Sequence, residues 1–302
     1  MLDSLVTVVV GFVSGVMSGL FGIGGALITT PAIRLLLGVP ALIAVGTPLV
    51  AIIPGAVTGA VTLVRAKVAD VRTGLVAGVA GALFSAVGAV MSEWIGGRVA
   101  LVLTGALLLY FAVTAFAHAR TLPQSGSSEQ ESAPGHGGSP GHDSPSATQQ
   151  AEQTGMKHQA AESTLQPPVP GGSRAARPPG TVRPIALGIV AGFAGGLLGL
   201  GGGFVLVPMF SRLFGFSQRK AVATSLISVS FMAIPGMLSH ARLGHVDWRV
   251  GLTLAAGAVL GAWVGARLVL KSSERVLRYG FAVLLALVGI WLVLNEVLGL
   301  MA

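Results

Sequence analysis

The chain contains no cysteine and little charge: 10% of its 302 residues are Asp, Glu, Lys or Arg. Without thiols, disulfides and thiolate metal sites are excluded. Soluble domains are about one-quarter charged, so the shortage of charge excludes an ordinary water-soluble fold. Apolar residues fill the space, at 53% of the chain and a mean hydropathy of +0.81. A bilayer requires apolar runs of about 20 residues from each spanning helix, and such runs occur everywhere except in one central stretch. The composition therefore predicts an all-α, polytopic membrane protein.

The net charge of +8 comes from Lys and Arg residues scattered singly between apolar segments. That pattern holds loops on one side of a membrane and lacks the clustered basic face of a nucleic-acid partner. The opening MLDSLVTVVVGFVSGVMSGL has no basic leader, and its apolar run continues past signal-peptide length. It reads as a retained first membrane segment.

Hydrophobic segments fall at about 4–37, 41–63, 73–95, 98–119, 184–213, 218–240, 249–270 and 275–300, eight in two groups of four. Sliding the second group by 177 positions aligns it on the first without a gap: Gly24 falls on Gly201, Pro31 on Pro208, Thr47 on Thr224, Asp70 on Asp247 and Arg72 on Arg249. Two homologous membrane repeats are expected, at 1–120 and 183–302. Between them, residues 121–182 are rich in Pro, Gly, Ser and Gln. Such a segment cannot bury enough surface to offset its ordering entropy, which predicts a disordered cytoplasmic linker. Its His136, His142 and His158, near His118, lack the fixed spacing of a metal site.

Glycine is abundant where a spanning helix would ordinarily carry leucine. Gly11, Gly15, Gly19 and Gly22 share one helical face, as do Gly188, Gly192, Gly196 and Gly199. Small residues at that spacing let helices approach closely. Gly24, Gly25 and the run Gly201 to Gly203 exceed what packing needs and predict a broken helix at the same place in each half. Pro31 and Pro208 punctuate the second arm. Freed backbone inside a bilayer persists only when it lines a cavity or is buried in protein. In transporters such breaks aim helix N-termini at anions. A dinucleotide-binding loop is excluded, because the third glycine of that fingerprint would fall on Leu27 or Phe204.

A site at these breaks has to be built almost without charge, since Arg34, Glu93, Arg98, Arg267 and Glu296 all lie near segment ends. The backbone of Gly24, Gly25, Gly201 and Gly202 and the hydroxyls of Thr47, Thr224 and Ser225 are the expected anion-binding groups. Thr29, Thr30, Ser228 and Ser230 are further polar candidates, although hydroxyls in membrane helices commonly bond back to their own helix. The matching loops VRAKVADVR and ARLGHVDWR place two arginines around each aspartate, Arg65 and Arg72 around Asp70, Arg242 and Arg249 around Asp247. Each pair is expected to hold its aspartate at the membrane boundary. His240 and His245 beside Asp247 fit an interface anchor better than a metal site.

The paired segments SGLFGIGG and GGLLGLGGG, each followed by a proline, together with these two loops, resemble the TauE/SafE sulfite exporter family of four-plus-four membrane proteins. The resemblance covers nearly the whole chain outside the linker. It implies movement of sulfur-containing or organic anions such as sulfite and sulfonates across the cytoplasmic membrane. Neither a cofactor nor enzymatic activity is implied, the partners being a small anion and the lipid bilayer; a homo-oligomer is compatible with the sequence. An anion channel is the competing reading. A membrane-embedded enzyme is weaker still, because no nucleophile, metal set or acid–base pair lies at membrane depth.

Charge placement bears on topology. If all eight segments cross, the 19 Lys and Arg residues divide 9 against 10. If the first and fifth fold back at their glycines, Arg34, Arg98, Arg242 and Arg249 share one side and the other 15 the opposite side. The positive-inside tendency favours this second arrangement, an inverted repeat with the linker in the cytoplasm.

Overall fold

The computed structural model describes residues 2–120, 181–297 and 299. Residues 121–180 of the expected linker, with His136, His142 and His158, lie outside the described residues; Thr181 and Val182 are described, and Val182 already opens a helix, so the second repeat starts one residue earlier than expected. Eleven helices are described: α1 (Leu2–Phe21), α2 (Ala26–Leu37), α3 (Ala41–Gly46), α4 (Pro48–Arg65), α5 (Val71–Ile95), α6 (Gly97–Arg120), α7 (Val182–Leu198), α8 (Gly203–Phe214), α9 (Gln218–Arg242), α10 (Trp248–Lys271) and α11 (Glu274–Val297). Among the described residues, six helices are long and apolar enough to cross a membrane, counting α3 and α4 as one rod from Ala41 to Arg65. The stretches Leu5–Phe21, Ala26–Leu36, Val182–Leu198 and Gly203–Phe214 are apolar but shorter.

Those shorter helices are the products of the two glycine breaks. Between α1 and α2, Gly22, Gly24 and Gly25 have φ of 72°, 82° and 83°; between α7 and α8, Gly199, Gly201 and Gly202 have φ of 67°, 69° and 79°. A side chain in this left-handed region costs roughly 1–2 kcal/mol per residue, so three such residues in each break demand glycine. Gly22 and Gly199 thus belong to the breaks as well as to the packing faces. Pro31 and Pro208 lie inside α2 and α8 rather than ending them. After the first break the chain doubles back, and Thr29 Oγ1 of α2 lies 2.6 Å from Ser14 Oγ of α1.

The glycine faces explain which helices meet. A Cβ on Gly11, Gly15 or Gly19 would overlap the carbonyl oxygens of Leu254, Ala258 or Ala262, so α1 lies directly on α10. A Cβ on Gly188, Gly192 or Gly196 would overlap those of Ala77, Gly81 or Ser85, so α7 lies on α5 in the same manner. In lipid, packing and dispersion rather than water exclusion hold helices together, and backbone-to-backbone contact maximises both. Each broken segment therefore docks on a helix remote from it in sequence. Around this centre the outward faces remain apolar, with Leu83 74% and Trp94 88% exposed on α5. A water-soluble protein would not leave such residues bare; hydrocarbon accommodates them.

Candidate functional site

The two breaks meet at the centre of the bundle. A Cβ on Gly24 would lie 3.2 Å from Val229 Cγ1 and 3.3 Å from Ile52 Cγ2; one on Gly201 would lie 3.2 Å and 3.5 Å from the same two atoms. Ile52 of α4 and Val229 of α9 are themselves 177 positions apart. Gly203 presses against Ile23, where even a Cβ would overlap the Gly22 carbonyl oxygen. Ile23 and Leu200, at the tips of the breaks, are buried.

The backbone here carries donors without acceptors. Gly22 N–H bonds to Ser18 O, and Ile28 and Thr29 N–H bond to Gly25 O. The N–H groups of Ile23, Gly24, Gly25, Ala26 and Leu27 have no acceptor among the described residues. In the second break Leu200 and Gly201 N–H both reach Gly195 O, while those of Gly202, Gly203 and Phe204 have no acceptor among the described residues. Helix N-termini carry a partial positive charge, and unpaired N–H groups buried away from water are costly. Both facts make this centre a place where an acceptor is stabilised.

The hydroxyls expected at the site have definite partners. Thr47 Oγ1 accepts from Asp247 N–H, and Thr224 Oγ1 accepts from Asp70 N–H, each at 3.0 Å. Pro48 lacks an N–H, and the helix is interrupted at Thr47, between α3 and α4. Ser225 Oγ lies 2.9 Å from both Gly22 O and Val222 O and ties α9 to the first break. Ser228 donates to Gly74 O of α5 at 2.8 Å, and Ser230 bonds back to Leu226 O at 2.7 Å. The structure thus brings Gly24 and Gly201 together, places Ser225 against the first break, and sets Thr47 and Thr224 as anchors of the two aspartate loops.

Those loops are built differently from the arginine clamp expected of them. Asp70 caps α5 by accepting from Thr73 N–H at 3.0 Å, and Asp247 caps α10 by accepting from Arg249 and Val250 N–H at 2.9 and 3.1 Å. The ion pair of Asp70 is with Lys220 Nζ, 3.4 Å away on α9. Arg65 and Arg72 take no part in it. Capping wins because helix N–H groups at the membrane boundary need an acceptor. Burial raises the Asp70 carboxyl, but the Thr73 hydrogen bond and the Lys220 ammonium outweigh it and hold the group below its ordinary value.

His240 is fully buried, its Nε2 is 3.1 Å from Gly196 O, and its Nδ1 is 3.4 Å from Nδ1 of His245. The carbonyl fixes the proton on Nε2, so Nδ1 of His240 accepts from His245. Among the described residues no group of three His, Cys, Asp or Glu side chains stands where it could hold a metal ion.

Two residues at the first break escaped the sequence reading. Ser14 and Ser18 lie on the glycine face of α1 and look like small packing residues. Ser14 Oγ donates to Gly25 O at 2.8 Å, while Ser18 Oγ is buried without a partner. With Thr29, Pro48, Ile52 and Gly55 they line a narrow crevice between the first hairpin and α4, too tight in this conformation to admit a water molecule. The 177-residue offset carries one signal of them: the positions opposite Ser14 and Ser18 are Ala191 and Gly195, so these hydroxyls belong to the first half alone.

The probable membrane transporter protein YunE of Bacillus subtilis is 25% identical over 296 residues, covering 96% of this chain and 97% of its own. A probable membrane transporter protein of Xylella fastidiosa is 35% identical over 107 residues, 35% of this chain and 41% of that one. The sulfite exporter TauE/SafE family protein 3 of Arabidopsis thaliana is 37% identical over 82 residues, 27% of this chain and 17% of that one. No solved structure matches the chain. Six apolar helices flank two glycine-broken segments, and the family model described as sulfite exporter TauE/SafE matches residues 7–292; the chain belongs to this family of membrane transporters.

Proposed function

We propose that this protein carries small sulfur-containing or organic anions, sulfite and sulfonates foremost, across the cytoplasmic membrane, and that the anion passes where the two breaks meet. The observation that carries the reading is the set of unbonded N–H groups from Ile23 to Leu27 and from Gly202 to Phe204, buried at mid-bundle beside two helix N-termini. Gly24, Gly25, Gly201 and Gly202 keep that backbone open. Thr47, Thr224 and Ser225 hold its frame, and an anion that reaches them finds hydroxyl donors as well. Helix-dipole recognition without a buried cation gives modest affinity, which suits a carrier that must release its cargo.

The same reading includes an inverted repeat. Each broken segment enters from one side, turns at its glycines and leaves on the same side, the two hairpins entering from opposite sides. Four cationic residues, Arg34, Arg98, Arg242 and Arg249, then face one side; with the linker cations set aside, the other 12 face the cytoplasm. Two related hairpins meeting at a shared centre supply the two gates that alternating access requires.

The test is uptake of sulfite, thiosulfate, taurine, sulfoacetate, sulfate and a carboxylate into proteoliposomes. Saturable flux of a sulfur oxyanion or sulfonate at carrier rates is expected. Conductance that does not saturate would replace the carrier by a channel, and flux of none of these anions would end the reading.

A further inference from the structure

The two breaks match in backbone but not in chemistry. Around the first stand four hydroxyls, Ser14, Ser18, Thr29 and Thr30; the residues 177 positions on are Ala191, Gly195, Leu206 and Val207. Space is divided unequally too. Gly55 of α4 lines the first crevice, where a Cβ would meet only Ala258 of α10, at 3.6 Å. Its counterpart Met232 fills the corresponding place in the second half, its Sδ 3.3 Å from where a Gly202 Cβ would sit. The second break also closes onto α7, where a Cβ on Gly195 would overlap the N–H of Gly202. Ser18 occupies that position in the first half and keeps the hairpin apart.

The polar groups of the first crevice are arranged for an acceptor that is not protein. Ser18 is 2% exposed, its Oγ lines the crevice, and it has no hydrogen-bond partner. The single carbonyl of Gly25 is crowded: Ile28 and Thr29 N–H reach it at 3.2 and 3.3 Å, and Ser14 Oγ and Thr29 Oγ1 lie 2.8 and 3.1 Å from it and 2.6 Å from each other, so that one hydroxyl donates to the other and one to the carbonyl. A carbonyl has two lone pairs, already met by the two N–H groups, so the hydroxyl that reaches it is surplus there, and the linked pair turns to a stronger acceptor when one enters. No charged side chain lines the crevice.

We propose that the transporter has one anion seat per chain, in the first half only, formed as the first hairpin parts from α4 by the hydroxyls of Ser14, Ser18 and Thr29 beside the unbonded N–H groups of Gly24 and Gly25, and that it takes a singly charged oxyanion head such as hydrogensulfite or a sulfonate. This deepens the carrier reading above and rests on it. A doubly charged anion is excluded by desolvation: burying charge without a counter-charge is costly, the ion's solvation energy grows with the square of its charge, and neutral hydroxyls and amides do not replace that loss. The second break then serves as the matching hinge, without ligand groups of its own.

The experiment uses the full chain, purified in detergent and reconstituted, with methanesulfonate, hydrogensulfite and sulfate as probes. Wild type is expected to be stabilised against heat by the first two and not by sulfate, with one methanesulfonate bound per chain. Ser18→Ala is expected to weaken methanesulfonate binding at least tenfold while its anion-free melting temperature stays equal or rises, because the hydroxyl removed has no partner. Gly55→Met, which copies the plug of the second half, is expected to abolish binding. Ser18→Ala binding as wild type does would overturn the seat while leaving the carrier intact; so would a fall in its anion-free stability, or two anions per chain. Sulfate bound as tightly as methanesulfonate would overturn the charge assignment. A wild type that neither binds nor moves any anion overturns the carrier reading and the seat together.

Discussion

Thr47 and Asp247 lie 200 residues apart in sequence, yet Thr47 Oγ1 accepts the Asp247 N–H at 3.0 Å, and Thr224 and Asp70 repeat the bond at the same distance. Each threonine marks an early turn of a rod through the membrane, and each aspartate starts a helix from the other half. The two halves are thus fastened by a reciprocal pair of bonds at opposite loops. Replacing Thr47 by Val strands a part-buried N–H, which costs about 1–3 kcal/mol, whereas Ser keeps the acceptor. Thr47→Val and Thr224→Val should lower the melting temperature of the detergent-solubilised protein by similar amounts, with both Ser variants near wild type. Unchanged stability with lost anion response would instead make these hydroxyls substrate ligands.

The glycine faces give a second expectation. At Gly15 and Gly192 an added Cβ overlaps the carbonyl oxygens of Ala258 and Gly81, so the helices must move apart. Overpacking costs typically about 1–3 kcal/mol. Gly15→Ala and Gly192→Ala should each destabilise by this order, while Gly55→Ala, whose Cβ meets Ala258 Cβ at 3.6 Å, should be close to neutral. Thermal unfolding followed by size-exclusion chromatography separates the cases. Equal effects at all three positions would remove the close-approach argument.

The glycine breaks were legible because Gly24, Gly25 and Gly201 to Gly203 cluster beyond what a packing face uses: a positive φ explains Gly24, Gly25, Gly201 and Gly202, and close approach to the Gly22 carbonyl explains Gly203. The packing faces themselves were legible from their spacing of four. Their partners were not: nothing in Gly11, Gly15 and Gly19 says that they lie on α10, since a small-residue stripe fits any other. Ser14 and Ser18 were hidden for the same reason, being small residues on that stripe. Asp70 was assigned to its neighbouring arginines because sequence proximity is all a single chain offers. The structure gives it a helix end and Lys220 instead.

Asp70 supplies a pH-dependent test. Although burial raises its carboxyl, the Thr73 hydrogen bond and Lys220 hold it below its ordinary value of 3.8. A group lowered on folding adds stability that is fully present above its unfolded pKa and is lost as pH falls through the folded one. Wild type should therefore lose this contribution only below about pH 4. Asp70→Asn keeps the cap but drops the charge, so it should cost less than about 1 kcal/mol at pH 7, as exposed pairs do, and should flatten the acid limb. An unchanged acid limb in the Asn variant would show that Asp70 does not titrate on unfolding.

Topology offers the most decisive measurement, because a chain without cysteine accepts single reporter thiols cleanly. Leu5 and Leu36 are 64% and 58% exposed near the outer ends of α1 and α2, and Val182 and Leu213 are 77% and 52% exposed at the corresponding ends of α7 and α8. If both broken segments are hairpins, Leu5→Cys and Leu36→Cys react with an impermeant maleimide from one side of the membrane, and Val182→Cys and Leu213→Cys from the other. If the segments cross, the two members of each pair lie on opposite sides. The packing favours a hairpin in the first half: Thr29 of α2 lies against Ser14 of α1, their hydroxyls 2.6 Å apart, so the second arm runs back beside the first. The charges agree, since hairpins at both places gather the cations on one side. Labelling that separates Leu5→Cys from Leu36→Cys would remove the inverted repeat and, with it, the two-gate mechanism.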